Sequence, residues 1–253
     1  MSIKRVVLAV FIWALAACST ETPDHDMKAG ASLSLAQGEV IGIPSPYDDA
    51  ITVYRGLPYA TAPIGDLRWR PPQAAVGWDG VRVADTFADS CFQLRHTSNF
   101  VWRREGFPVS EDCLYLNVWA PDNAEDLPVM VWFHGGAHTS GQGHSLIFDG
   151  TSLAQQGVVV VTVNYRLGPF GFLAHPWLVE ASESGVSGNY GLMDKIAALR
   201  WVRDNVLAMG GDPSNVTIFG QSAGSQSVCS LMVSPSAQGL FHKAIGQSAA
   251  CVN

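Results

Sequence analysis

The spacing of apolar positions changes twice along this chain. Between Glu39 and Ala84 they come in short runs: Glu39–Ile43, Ile51–Tyr54 and Val81–Ala84 predict strands, with Pro44-Ser45-Pro46, Gly65-Asp66 and Gly77 as turn residues. Leu114–Trp119 alternates, placing Leu114, Leu116 and Val118 on one face and Tyr115, Asn117 and Trp119 on the other. Val129–Phe133 and Val158–Val163 are then apolar without interruption, as expected of parallel strands covered on both sides. From Tyr190 to Met209 the period becomes helical. Leu192, Ile196, Leu199 and Val206 share one side, Asp194, Arg203 and Asp204 are among the polar positions, and Gly210-Gly211-Asp212-Pro213 stops the helix. Val216–Phe219 is the next buried strand, Ala223–Val233 a further helix and Lys243–Gln247 a last strand. This alternation predicts an α/β fold, its mostly parallel sheet covered by helices on both faces and preceded by short antiparallel strands.

Ahead of this pattern the chain has a different character. Lys4 and Arg5 precede the apolar run Val6–Ala17, shorter than the roughly 20 residues that span a bilayer but suited to a signal peptide. Leu15-Ala16-Ala17-Cys18 puts small residues directly before a cysteine, like a bacterial lipoprotein processing site. The expectation is a signal peptide over residues 1–17, a lipidated Cys18 with a flexible tether over 18–35, and a cell-envelope protein held on the membrane by its lipid. The alternative is an ordinary secretory signal and a secreted or periplasmic protein. The remainder, residues 36–253, is one domain.

Composition removes several functions. Hydrophobic residues make up 47% of the 253 positions and charged ones 15%, so the chain has a core to bury and is not disordered. Lysine and arginine number 15 against 22 acidic residues, a net charge of −7, whereas nucleic-acid binding calls for a basic excess. Five cysteines in this length do not make a disulfide-dense miniprotein, although export permits disulfides.

The candidate chemistry lies at the end of one strand. Gly220-Gln221-Ser222-Ala223-Gly224 stands between the strand Val216–Phe219 and a helix, the context in which Gly-x-Ser-x-Gly presents a nucleophilic serine on a tight turn. The Ser222 hydroxyl is then lifted above the sheet, and the Ala223 amide points where a tetrahedral oxyanion would form. His134-Gly135-Gly136-Ala137 directly follows the strand Val129–Phe133, and such a loop supplies the remaining oxyanion donors.

With these residues the chain resembles the type-B carboxylesterase family of the α/β-hydrolase fold, which includes the cholinesterases. The likeness runs from about residue 36 to the end. It includes Tyr54-Arg55-Gly56-Leu57-Pro58-Tyr59-Ala60, Leu67-Arg68-Trp69 with Pro71-Pro72, and Ser110-Glu111-Asp112-Cys113-Leu114-Tyr115-Leu116-Asn117-Val118-Trp119. It continues through Asn164-Tyr165-Arg166 and Gly188-Asn189-Tyr190-Gly191-Leu192 into the serine turn. The resemblance implies hydrolysis of small-molecule carboxylic esters without cofactor or metal, with Ser222 as nucleophile and the amides of Gly136, Ala137 and Ala223 as oxyanion donors. It also implies a Cys91–Cys113 disulfide, worth roughly 3 kcal/mol by loop entropy. Gln221 departs from the glutamate of many relatives, and Met209 stands where an aromatic is usual.

In this fold the acid and the histidine of the triad follow the serine. Only 253 − 222 = 31 residues follow Ser222, none of them Asp or Glu. The expectation is therefore the amino-terminal portion of the fold, its carboxy-terminal half missing, and a weak esterase on its own. The rival function is a cholinesterase-like surface binding module without catalysis. His242 is expected on the surface. His134, His138 and His144 lack the further ligands of a metal site, and His134 is expected to pack or hydrogen-bond within its loop. Cys229 is expected as a buried free thiol, and Cys251 as the partner of a cysteine beyond the end. Trp69, Trp78, Trp102 and Trp119 are expected to serve packing.

Overall fold

The computed structural model describes residues 32–94, 108–249 and 251. The expected signal peptide, Cys18 and Trp102 lie outside these residues. In chain order the strands are β1 (Leu33–Leu35), β2 (Gly38–Ile41), β3 (Ile43–Ser45), β4 (Asp48–Pro58), β5 (Val81–Val83), β6 (Ser90–Cys91), β7 (Val109–Ser110), β8 (Tyr115–Pro121), β9 (Leu127–Phe133), β10 (Val159–Val163), β11 (Gly211–Gln221) and β12 (Lys243–Gln247). The helices are α1 (Thr151–Ala154), α2 (Gly168–Phe172), α3 (Pro176–Glu180), α4 (Tyr190–Asn205) and α5 (Ala223–Met232).

Seven strands make the central sheet, in the order β12-β11-β9-β10-β8-β4-β3. From β12 to β10 every pair is parallel; β8 runs antiparallel to both β10 and β4, and β4 to β3. Uninterrupted apolar strands occupy the middle because both faces are covered there. On one face Val129, Val131, Phe133, Val161 and Ile218 meet Ile196, Leu199 and Val202 of α4 and Val228 and Leu231 of α5. On the other, Trp119 and Val160 pack with Ile51, Val53 and Ala154 of α1. Even Asn117 of β8 is buried, and it is satisfied: its Oδ1 accepts from the Gly56 amide at 2.9 Å and its Nδ2 donates to the Thr162 hydroxyl at 3.1 Å.

Several expectations change. The ordered fold includes Leu33–Leu35, inside the stretch assigned to a tether, because β1 pairs antiparallel with β2. Pro44 and Ser45 are strand rather than turn residues. Pro44 is tolerated because β3 is the last strand of the sheet and needs no donor on its open side. The helix from Tyr190 ends at Asn205, and Val206–Met209 is a 3₁₀ turn closed by Gly210 at φ 78°. Asp194 is not on the polar face: it is wholly buried, drawn in by Arg166. Cys229 is not a free thiol, nor does Cys251 await an outside partner; the two are bonded to each other, tying α5 to the segment after β12. Among the described residues no helix is long and apolar enough to cross a membrane.

Candidate active site

Strand β11 ends at Gln221, and the chain reverses sharply into α5 through Ser222, whose φ of 56° and ψ of −122° lie outside the regions that ordinary side chains favour. Two glycines make the reversal possible. A Cβ on Gly224 would overlap the Phe133 carbonyl oxygen, and one on Gly220 would stand 2.6 Å from the Gly224 carbonyl carbon. Only bare backbone lets β11, α5 and the end of β9 come this close. The turn is pinned from the sheet edge, where the Ser222 amide donates to Gln247 O of β12 at 2.8 Å. Ser222 as a residue is half-buried.

The glycine loop lies directly against this turn. A Cβ built on Gly135 would stand 3.1 Å from the Ser222 Cβ and 2.8 Å from Gln221 O. Gly136, Ala137 and His138 follow with φ of 114°, 54° and 57°. The Gly136 carbonyl accepts from the amides of Thr139 and Ser140 at 3.0 and 3.1 Å. In a trans peptide the Ala137 N–H points opposite to that carbonyl, hence away from the Thr139–Ser140 turn. Among the described residues no acceptor pairs with the Gly136 or Ala137 amide. Ala223, the first residue of α5, has an N–H without an intrahelical acceptor. The fold thus sets the loop that carries Gly136 and Ala137 against the Ser222 turn, with Ala223 opening α5.

Gly135→Ala tests this closeness. The new methyl has to displace Gln221 or the serine turn, so stability is expected to fall by about 1–3 kcal/mol. Modification of Ser222 by a fluorophosphonate is expected to slow. Wild-type values in urea unfolding and labelling would show that the loop and the turn are not in contact.

The surrounding polar groups hold the loop. His134 packs and hydrogen-bonds within it as expected: its Nδ1 donates to Gly135 O at 2.8 Å, and its ring stacks on Tyr165 at 4.3 Å. Burial pushes His134 down to about 3, against the opposing effect of that hydrogen bond, so the ring is neutral near pH 7. Burial likewise brings His138 and His144 to about 4. The Cys91–Cys113 disulfide is formed. Next to it, Gln93 donates to Gly141 O at 2.9 Å and accepts from the Gly141 amide at 2.8 Å, joining the disulfide loop to the glycine loop. Trp69 stacks on Phe170, Trp78 donates to Glu39 O, and Trp119 is core, so all three serve packing.

His242 stands apart. It is exposed, its Nδ1 accepts from the Val216 amide at 3.1 Å, and its own amide donates to Val216 O. Val216 is six residues before Ser222 on the same strand, roughly 20 Å away at 3.3 Å per residue. Among the described residues no histidine or carboxylate hydrogen-bonds Ser222. Sequence reasoning gave no role to Gln93 or Tyr165, which hydrogen-bond the glycine loop from outside both motifs.

A serine on a strained strand-to-helix turn, facing a glycine loop at the end of a parallel sheet, defines an α/β-hydrolase fold. The chain belongs to the carboxylesterase family, whose model matches residues 29–253. It is 48% identical over 203 residues to fumonisin B1 esterase of Sphingopyxis macrogoltabida, a match covering 78% of this chain and 36% of that protein. It is 46% identical over 205 residues to para-nitrobenzyl esterase of Bacillus subtilis, covering 80% of this chain and 41% of the relative. A carboxylesterase structure from Geobacillus stearothermophilus superimposes with a TM-score of 0.78 at 42% identity, over 88% of this chain and 45% of the other. The chain therefore spans less than half the length of the relatives it matches.

Proposed function

We propose that this chain carries the nucleophile and the oxyanion donors of a carboxylic ester hydrolase. One observation supports the proposal above all: the strained Ser222 turn and the loop that carries Gly136 and Ala137 lie so close that a Cβ built on Gly135 would stand 3.1 Å from the Ser222 Cβ. In this reading the Ser222 Oγ attacks the carbonyl carbon of a small-molecule ester. The carbonyl electron pair moves onto oxygen, and the amides of Gly136, Ala137 and Ala223 receive the oxyanion. Collapse expels the alcohol, and water releases the acyl group from the serine. No cofactor or metal takes part. The pattern of Lys4, Arg5, the run Val6–Ala17 and Cys18 supports export and lipid anchoring as part of the same reading.

The serine proton needs a base, and neither the 31 residues after Ser222 nor the surroundings of its turn supply an obvious one. The proposal is thus an ester hydrolase whose acid and histidine are not provided by these 253 residues. Turnover of a simple aryl ester by the 253-residue chain is expected on the order of 10⁴–10⁶-fold below that of a complete triad enzyme. Because the triad members act as a unit, the residue of activity is expected to change little in Ser222→Ala. Turnover at full rates, lost in Ser222→Ala, would refute the need for further groups.

A further inference from the structure

Beneath the glycine loop lies an amine that the reaction above does not use. Lys195 of α4 is wholly buried. Its Nζ donates to Gly191 O at 3.2 Å and stands 3.1 Å from the centre of the Tyr165 ring, with the Phe172 ring 5.8 Å away. Its sequence neighbour Asp194 is committed elsewhere, to the amide, Nε and Nη2 of Arg166. Lys195 is therefore a buried amine satisfied by one carbonyl and a ring face, and it forms none of the ion pairs among the described residues. An apolar side chain of similar length would avoid that desolvation cost. Nothing in the packing of α4 calls for an amine at this position.

What the amine does touch leads to the candidate site. The Tyr165 hydroxyl donates to His134 O at 2.7 Å, and the same ring is stacked by His134 on one side and approached edge-on by His138 at 6.5 Å. His138 leans on Phe172 at 4.8 Å, and its carbonyl accepts from the Gly168 amide at 2.6 Å. Both ends of the glycine loop, His134 and His138, thus rest on the two rings that surround the amine. The His134 carbonyl in turn abuts Gly224, two residues beyond Ser222.

We propose that Lys195 is a positioning residue for the glycine loop, holding the His134–His138 backbone through the Tyr165 ring and hydroxyl and placing positive charge behind the Gly136 and Ala137 amides. A cation on a desolvated ring face is a strong contact, and charge fixed in a dry interior acts at longer range than charge in water. The charge already acts on the loop, since it helps to depress both His134 and His138. The groups facing the amine are Asp194 on its own helix, Tyr165 and Arg166 after β10, and His134 and His138 in the loop. Burial holds Lys195 well below the ordinary lysine value, with Asp194 opposing. Tyr165 is displaced upward by burial and stays a neutral donor. Of the groups around the amine, the two histidines are displaced downward and the tyrosine upward. The charge would matter to catalysis only if the hydrolase reading holds; the coupling to the loop does not depend on it.

Nuclear magnetic resonance titration of the 253-residue chain tests the coupling. The amide signals of Gly135, Gly136 and Ala137 are expected to shift in one step together with the Lys195 side chain, below the ordinary lysine range, and the step is expected to disappear in Lys195→Met. A loop that shows no such step, or one that persists in Lys195→Met, overturns the proposal. Should Lys195→Met fail to fold, Tyr165→Phe keeps the ring under the amine and removes the bond to His134 O. Lys195 should then still titrate while the loop step shrinks, and an undiminished step counts against the proposal. Fluorophosphonate labelling of Ser222 is read alongside and is expected to be about tenfold slower in Lys195→Met. A wild-type Ser222 inert to the reagent would agree with a serine that lacks its base in this chain, and the resonance step then decides the role of Lys195.

Discussion

Asp194→Ala is expected to cost about 3–5 kcal/mol, the toll of removing one member of a buried ion pair. The Asp194 carboxylate is wholly buried and takes three hydrogen bonds from Arg166: from its amide at 3.0 Å, its Nε at 2.9 Å and its Nη2 at 2.7 Å. The Arg166 side chain is only 3% exposed and keeps one other partner, Arg70 O at 2.9 Å. Without the carboxylate, a guanidinium and the Lys195 amine share one dry pocket with no anion between them. The penalty comes from stranded charge rather than from lost attraction. Arg166→Met combined with Asp194→Leu should accordingly recover most of the loss. Urea unfolding of the two variants measures both. A single variant within about 1 kcal/mol of wild type would show that water reaches the guanidinium and that the pair is not sealed.

Burial of this pair is also where sequence pattern and fold part company. A 3.6-residue period assigns each carboxylate of a helix to the solvent side unless a partner is known, and that partner lies 28 residues earlier, after β10. Cys229 and Cys251 pose the same difficulty, because pairing is a property of the folded chain and each cysteine alone reads as isolated. Strands β1, β6 and β7, two or three residues long, are too short to carry a period. By contrast β9 and β10 are visible in their composition, since a strand covered on both faces has no polar alternation to obscure it. The serine turn is visible for a different reason. Gly220 and Gly224 are required by contacts with Phe133, and the residues that must be bare are spaced by the turn itself. Tyr165 and Lys195 sit between these cases: a tyrosine after an apolar strand and a lysine on a helix have no local feature that reveals one resting on the other.

Acidification from pH 7.5 to 5.5 is expected to remove on the order of 3 kcal/mol of stability through the two buried histidines, His134 and His144, with a smaller share from half-buried His138. Burial, the largest cause in each, holds His134 at about 3 and His138 and His144 at about 4, against 6.5 for the free side chain. The unfolded chain therefore binds a proton at each of these rings once the pH falls below 6.5, while the folded chain does not until about 4. Stability thus rises with pH across this window and is lost as pH falls through it. At pH 5.5, one unit below the free value, His134 and His144 each contribute about 1.4 kcal/mol, and half-buried His138 less because water screens it. Lys195, also depressed by burial, acts in the same direction wherever it is neutral in the fold. The depressed carboxyls of Asp48 and Asp212 add nothing here, because their changes fall below the usual carboxylate value of 3.8. In a domain of this size the loss corresponds to a fall in Tm of about 10 °C. His138→Gln, which removes the least buried of the three rings, should reduce the pH dependence by less than a third. A Tm independent of pH between 7.5 and 5.5 would mean that these rings accept protons in the folded chain, and that the interior beneath the glycine loop is wetter than its packing implies.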